Sequence, residues 1–180
     1  MSLAGIIDKV ITTEGGYSNN PNDSGGETNF GITLSTARHY GYLGAMKDMP
    51  RAIAVMIYTK QYVLDWNFHS VYNINAKIGA ELIDTGVNCG QGTATKIFQR
   101  ALNSLNNIVE GHPNMVLDGI IGPASILALS TYLKTHNTNG ELVLLRAMNC
   151  LQGTHYIELV EKYQKNEEFI FGWLLNRVVI

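Results

Sequence analysis

Leu3-Ala4-Gly5-Ile6-Ile7-Asp8-Lys9-Val10-Ile11-Thr12-Thr13-Glu14-Gly15-Gly16-Tyr17 is the stretch on which the fold turns. Leu3, Ile6, Ile7, Val10 and Ile11 recur at i, i+3, i+4, i+7 and i+8, the spacing of a helix with one apolar face. Glu14 extends that series. It lies eleven residues after Leu3, close to three helical turns, so it is expected on the apolar side at the last turn, just before Gly15-Gly16 stops the helix. A carboxylic acid so placed is hard to ionise, because desolvation disfavours the charge and the negative end of the helix dipole acts the same way. A raised pKa is what a general acid needs.

Downstream, Ser18-Asn19-Asn20-Pro21-Asn22-Asp23-Ser24-Gly25-Gly26-Glu27 leads into Thr28-Asn29-Phe30-Gly31-Ile32-Thr33. Five glycines from Gly15 to Gly31 and a run of Asn and Pro describe a long irregular polar loop, the kind that more often carries function than a mere connection. A second carboxylate, Asp23, and a hydroxyl, Thr28, returning toward Glu14 would hold a water, with acid and nucleophile on opposite sides of a bond. The plain alternative is a Glu that decorates a helix end and an Asp that holds its own turn.

The runs Glu14-Gly15-Gly16-Tyr17 and Asp23-Ser24-Gly25-Gly26-Glu27-Thr28-Asn29-Phe30-Gly31-Ile32-Thr33 resemble the signature of family 108 glycoside hydrolases, predicted N-acetylmuramidases of the lysozyme-like superfamily. The resemblance implies that Glu14 is the catalytic acid, and that Tyr17 and Asn29, beside it in the motif, contact substrate. The pattern is also similar to that of phage-type lysozymes, in which Glu, Asp and Thr follow one another. Asp23 and Thr28 match in type and order, although the Asp-to-Thr gap is one residue shorter here. Members of the family also carry the label secretion activator.

The chain has 180 residues, 46% hydrophobic and 16% charged, with a mean hydropathy of +0.01, which bounds it to one well-cored globular domain or a domain with an appendage. A net charge of −2 offers no basic field for nucleic acid. Asp8, Lys9 and Glu14 interrupt the first hydrophobic series, so no secretory leader is expected, and no run of eighteen apolar residues offers a membrane span. Accumulation in the cytoplasm is the expectation. A wall hydrolase of that kind resembles a phage or prophage endolysin released by a separate holin. Cys89 and Cys150 are expected to be buried thiols.

Along the chain, Thr33 or Ser35 is placed to cap a short helix ending near Gly41. Pro50 suits the start of a longer helix through Leu64, with Tyr58, Tyr62 and Trp66 on one stripe, a pattern that is more often core than sugar platform. These aromatics also resemble a Tyr-x-x-x-Tyr-Trp element of the family, with Trp66 displaced. A helix is expected from about Asn75 to Asn88. Asp84-Thr85-Gly86-Val87-Asn88-Cys89-Gly90 matches an Asp-x-x-x-Asn-x-Gly element of the family, which implies that Asp84 and Asn88 line a sugar groove; the competing reading is a capping or ion-paired Asp84 and a helix-ending Asn88. Another helix follows from Thr93 toward Asn103.

A polar change from Asn103 to Pro113 divides the chain into a lysozyme-like catalytic region, 1–105, and a helical region, 106–180, packed on it. Leu117-Asp118-Gly119-Ile120-Ile121-Gly122-Pro123 resembles the Asp-Gly-x-Ile-Gly-Pro signature of peptidoglycan-binding helical modules, and Pro123 suits the first turn of a helix. A long helix from Glu141 to about Gln164 and a short one from Phe169 to Arg177 complete the chain. The ending, Phe171-Gly172-Trp173 with Arg177, resembles the family's close, offset by one position.

The fold class expected is all-α, lysozyme-like, with an irregular Gly-rich catalytic loop. His39, His69, His112, His136 and His155 show no ligand spacing, so neither metal nor cofactor is expected. A cysteine peptidase through Cys89 has no visible motif. The substrate expected is the peptidoglycan glycan strand. A lytic transglycosylase on the same bond, and a wall-binding or secretion-assisting module without turnover, remain as alternatives.

Overall fold

The computed structural model describes residues 3–14, 16–19, 26–106 and 113–178, and these residues form eight α-helices with one small two-stranded sheet. Contacts group the chain into two compact units, Met1–Asp65 and Trp66–Ile180.

In the first unit, α1 (Leu3–Glu14) buries Ile6, Ile7, Val10 and Ile11, the stripe its periodicity predicts. It packs on α3 (Arg51–Thr59), which contributes Ala54, Ile57 and Tyr58. An exposed ion pair, Arg51 to Asp8 at 2.7 Å, also joins them. Between these helices β1 (Thr28–Asn29) and β2 (Ile32–Thr33) pair antiparallel. Phe30 and Gly31 both have positive φ, 52° and 72°, the geometry that matches a two-residue turn to the twist of a hairpin. Phe30 bears the strain of that conformation, and the Tyr58 hydroxyl holds it by donating to the Phe30 carbonyl at 2.9 Å. Thr33 then caps α2 (Leu34–His39), accepting from the Thr36 N–H at 3.2 Å.

The long helix expected from Pro50 to Leu64 is interrupted. From Lys60 to Leu64 the chain forms a π turn, closed by the Asp65 N–H donating to the Lys60 carbonyl at 3.0 Å. The wider turn shifts the helical phase, so the aromatic stripe does not continue as one surface. Tyr58 is 4% exposed and stacks on Tyr62, whereas Trp66 is 37% exposed.

The second unit holds α4 (Phe68–Ile74), α5 (Ala76–Cys89), α6 (Gln91–Ser104), α7 (Pro123–Lys162) and α8 (Glu167–Arg177). Asn75 caps α5 by accepting from the N–H groups of Lys77 and Ile78 at 3.1 and 3.0 Å. Helices α4 and α5 approach so closely that a Cβ on Gly79 would stand 2.3 Å from the Tyr72 Cα. Phe68, Ile78, Leu82, Phe98, Leu102, Leu129 and Met148 fill the core. Helix α7 starts at Pro123 as expected and breaks at Asn137 (φ 45°, ψ −127°), short of the Glu141 start expected for its second part. The Tyr132 hydroxyl spans that break, donating to the Gly140 carbonyl at 3.0 Å.

The expectation of two buried thiols is corrected: Cys150 is exposed on α7 and Cys89 is half-buried at the end of α5. The polar residues 107–112 lie outside the described residues.

Candidate functional site

Glu14 is the last residue of α1, one turn beyond the buried Val10 and Ile11. Its side chain and all of Asp23 lie outside the described residues. The loop that follows α1 is closed at its base by backbone pairing: Ser18 and Thr28 exchange N–H···O bonds of 2.9 and 2.8 Å. Thr28 therefore sits between Ser18 and Thr33, its register partner on β2, and its side chain is half-buried.

Tyr17, exposed, donates its hydroxyl to Glu27 Oε1 at 3.0 Å. That bond to an acceptor carboxylate, followed by slight burial, raises the Tyr17 phenol above its ordinary value. Glu27, within the quoted motif yet not singled out from sequence, is the carboxyl group this loop presents among the described residues. Asn29 is 5% exposed, and its Nδ2 donates to the Met46 carbonyl at 2.7 Å, which ties the hairpin to the turn before α3. A second tyrosine–carboxylate pair, Tyr40 to Asp65 Oδ2 at 2.6 Å, lies in the same unit; burial first, then Asp65, pushes that phenol up to about 12.

Asp84 and Asn88 lie one turn apart on α5, in the second unit. Asp84 Oδ1 accepts from Arg177 Nη1 at 2.8 Å, and both side chains are largely buried. Asn88 Nδ2 donates back to the Asp84 carbonyl at 2.7 Å. Their described partners are thus protein groups. One turn earlier, Glu81 is pushed up to about 7 by burial and, after it, by the charge of Asp84; hydrogen bonds from Asn149 and Thr85 act in the opposite sense. Glu81 was not visible from sequence, because its position on α5 reads as an ordinary helix acid.

Burial raises the Cys89 thiol, against hydrogen bonds from Tyr156 and Gln152 that act in the opposite sense, so burial disfavours the thiolate there. Among the described residues no cluster of three or more His, Cys, Asp or Glu has the arrangement of a metal site. No described helix is long and apolar enough to cross a membrane.

The model of the glycosyl hydrolase 108 family matches residues 7–90, and that of a predicted peptidoglycan domain matches residues 93–178. The two matches follow one another along the chain, a glycosyl hydrolase 108 match first and a predicted peptidoglycan domain match second. That pairing supports a glycoside hydrolase that degrades peptidoglycan. The glycosyl hydrolase 108 region runs from α1 through α5, and the peptidoglycan domain from α6 through α8. The Asp84–Arg177 ion pair therefore joins the two regions within the second compact unit. Among solved structures, the chain is similar to that described as the structure of Brucella abortus SagA, with a TM-score of 0.56 and 20% identity over 98% of this chain and 95% of that one. The shared property is the fold, which in this chain is predominantly helical. No curated protein matches the chain.

Proposed function

We propose that the chain is an N-acetylmuramidase, cleaving the β-1,4 bond between N-acetylmuramic acid and N-acetylglucosamine with Glu14 as general acid. The observation that carries this reading is the position of Glu14: it ends the helix that opens the glycosyl hydrolase 108 region, following a buried apolar stripe and preceding Gly15-Gly16-Tyr17. At a helix C-terminus the dipole favours the protonated acid, and a protonated acid at neutral pH is what leaving-group departure requires. Asp23 and Thr28 orient the attacking water. Tyr17 and Asn29 in the first unit, and Asp84 and Asn88 in the second, are the sugar contacts, each open to test by substitution. Catalysis is assigned to 1–105 and wall holding to 106–180. Synthesis in the cytoplasm and release by a separate holin, in the manner of a prophage endolysin, belong to the same proposal.

Mass spectrometry of purified peptidoglycan after digestion tests the reading. Muramic acid reducing ends are expected. Anhydro ends would replace hydrolysis by transglycosylation, in which one Glu serves as acid and then base, and an uncut polymer would leave only a binding module.

A further inference from the structure

Several side chains fasten the loop carrying Asp118-Gly119-Ile120-Ile121-Gly122-Pro123: Asn67, at the start of α4, donates to the Ile121 carbonyl at 2.9 Å, and the buried Gln99 makes the most bonds. Gln99, 2% exposed on α6, donates from Nε2 to Asp118 Oδ1 at 2.7 Å and to the Ile120 carbonyl at 3.1 Å, and accepts the Gly119 N–H on Oε1 at 3.1 Å. Gly119 has φ 78°, a conformation open to glycine, and a Cβ there would stand 3.4 Å from the Gly92 carbonyl. The Ser125 hydroxyl donates to the Ile120 carbonyl at 3.2 Å.

A cleft of about 290 Å³ opens beside this loop. Gln99, Asp118 and Ser125 contribute its polar part, and Val116, Ile120, Pro123 and Ala124 its apolar part. Val116 and Ile120 are among the most exposed large aliphatic side chains described, at 79% and 63%. Turn geometry does not require aliphatic side chains facing water at those two positions. Asp118 is exposed, and the hydrogen bonds from Gln99 and the Ile120 N–H hold its carboxyl below the ordinary value, so it is ionised at neutral pH. Lys96 runs past Gly119 by its methylenes, yet among the described residues Asp118 forms no ion pair. Asp8, Asp84 and Glu141, by contrast, each meet a cation. The cleft thus offers a rigid floor, an aliphatic rim and one carboxylate that, among the described residues, meets no cation within salt-bridge distance. Its volume falls just below the range of sites that enclose a drug-sized ligand, which suits one or two small residues of a longer polymer.

We infer that this cleft is where the predicted peptidoglycan domain grips the wall, and that its occupant is a stem peptide: small aliphatic residues against Val116, Ile120 and Ala124, and a free side-chain ammonium against Asp118. The inference rests on reading the chain as a wall hydrolase. The charge match is local: the side-chain ammonium is a cation that the sugars of the strand lack, and the peptide's own two carboxylates, on the Glu and on the last Ala, lie away from Asp118.

The test uses the full chain and a synthetic stem tetrapeptide of N-terminally acetylated Ala, γ-linked Glu, Lys and Ala, with a twin also acetylated on the Lys amine and peptide-free glycan strands as the other ligands. Backbone NMR shifts are expected in the segment 115–125 with the free peptide, and acetylation should weaken binding about three- to fivefold, the scale of one exposed ion pair. Asp118→Asn, whose side-chain oxygen still accepts from Gln99 and Ile120, should weaken the free peptide equally and leave the acetylated one unaffected. Ala124→Lys, at an exposed site on α7, should weaken the free peptide further while thermal melting stays at the wild-type midpoint. The inference is overturned if the free peptide leaves 115–125 unshifted, if glycan strands alone shift it, or if the acetylated and free peptides bind equally. Binding is read without turnover, so a chain that takes the peptide yet leaves purified peptidoglycan uncut defeats the muramidase reading and not this one.

Discussion

Two of the glycine-bearing loops of this chain, the one after α1 and the one before α7, are held in different ways. The loop after α1 is closed at its base by a backbone pair, Ser18 with Thr28, and the side chains described above that base, Tyr17 and Glu27, satisfy each other. The loop before α7 is held by side chains, chiefly the buried Gln99 together with Asn67, Asn103 and Ser125, which leaves its own Val116 and Ile120 facing solvent. Backbone closure leaves side chains available for chemistry. Side-chain closure fixes the backbone and leaves a shaped surface. A substitution in the first loop should therefore register in rate, and one beneath the second in stability.

The largest effect expected is on rate. Glu14→Gln preserves shape and removes the proton donor, and muralytic activity should fall by about 10²- to 10⁴-fold with an unchanged urea midpoint. A rate close to wild type would erase the contrast between the loops. Gln99→Ala should act on stability: it leaves the buried Gly119 N–H without its partner, while the Ser125 hydroxyl and the Gly122 N–H still serve the Ile120 carbonyl, at a cost of about 1–3 kcal/mol in urea unfolding. A loss well under 1 kcal/mol would mean that Ser125 and Asp118 hold the loop without it.

Glu81 sharpens the same contrast from the side of acidity. Its carboxyl is raised from an ordinary 4.5 to about 7 in the fold, so between those values the folded chain keeps a proton that the unfolded chain has released. Stability is then full below the lower value and declines as pH rises to the upper one. Glu81→Gln should flatten that decline and stabilise the chain at pH 8 by on the order of 2 kcal/mol, read from urea curves at a series of pH values. A persistent decline would assign the pH dependence to another group. The smallest effect belongs to Arg51→Ala. The Asp8–Arg51 pair is exposed on both sides, and its loss should change stability by about 0.5 kcal/mol or less, with any change shrinking in high salt.

Legibility from sequence followed the range of the interaction. The α1 stripe, the Thr33 cap and the Pro123 start are local patterns, and the structure realises each. Helix α4 went unforeseen because seven residues after Asn67, itself at φ 59°, are too short for a period to register. The π turn from Lys60 to Leu64 adds no unusual residue, so nothing in the local chemistry announces the change of phase. Gln99 reads as a surface residue of an amphipathic helix until a loop twenty positions away arrives to bury it. Asp84 offered two readings from sequence, and its partner Arg177 lies 93 positions on, beyond any local rule. Cys150 was misread for a related reason: a thiol's burial depends on which face of α7 meets a neighbour, and one residue's type does not fix the face.

The break at Asn137 gives α7 two registers instead of one. An unbroken helix from Pro123 to Lys162 would be about 60 Å long, and each residue inserted anywhere along it would rotate everything downstream by about 100°. Ser125, Ala128, Leu129 and Tyr132 lie on the buried side before the break, and Leu144, Met148, Gln152 and Tyr156 after it. Because the helical geometry is interrupted between these two sets, the rotational setting of the second does not have to follow from that of the first. Insertions or deletions beside Asn137 can be absorbed at the joint, whereas the same change at Ser130 or Leu145 would turn a buried face toward water. A change of length made in this helix is therefore expected to leave both buried faces in place only at a few positions around one asparagine.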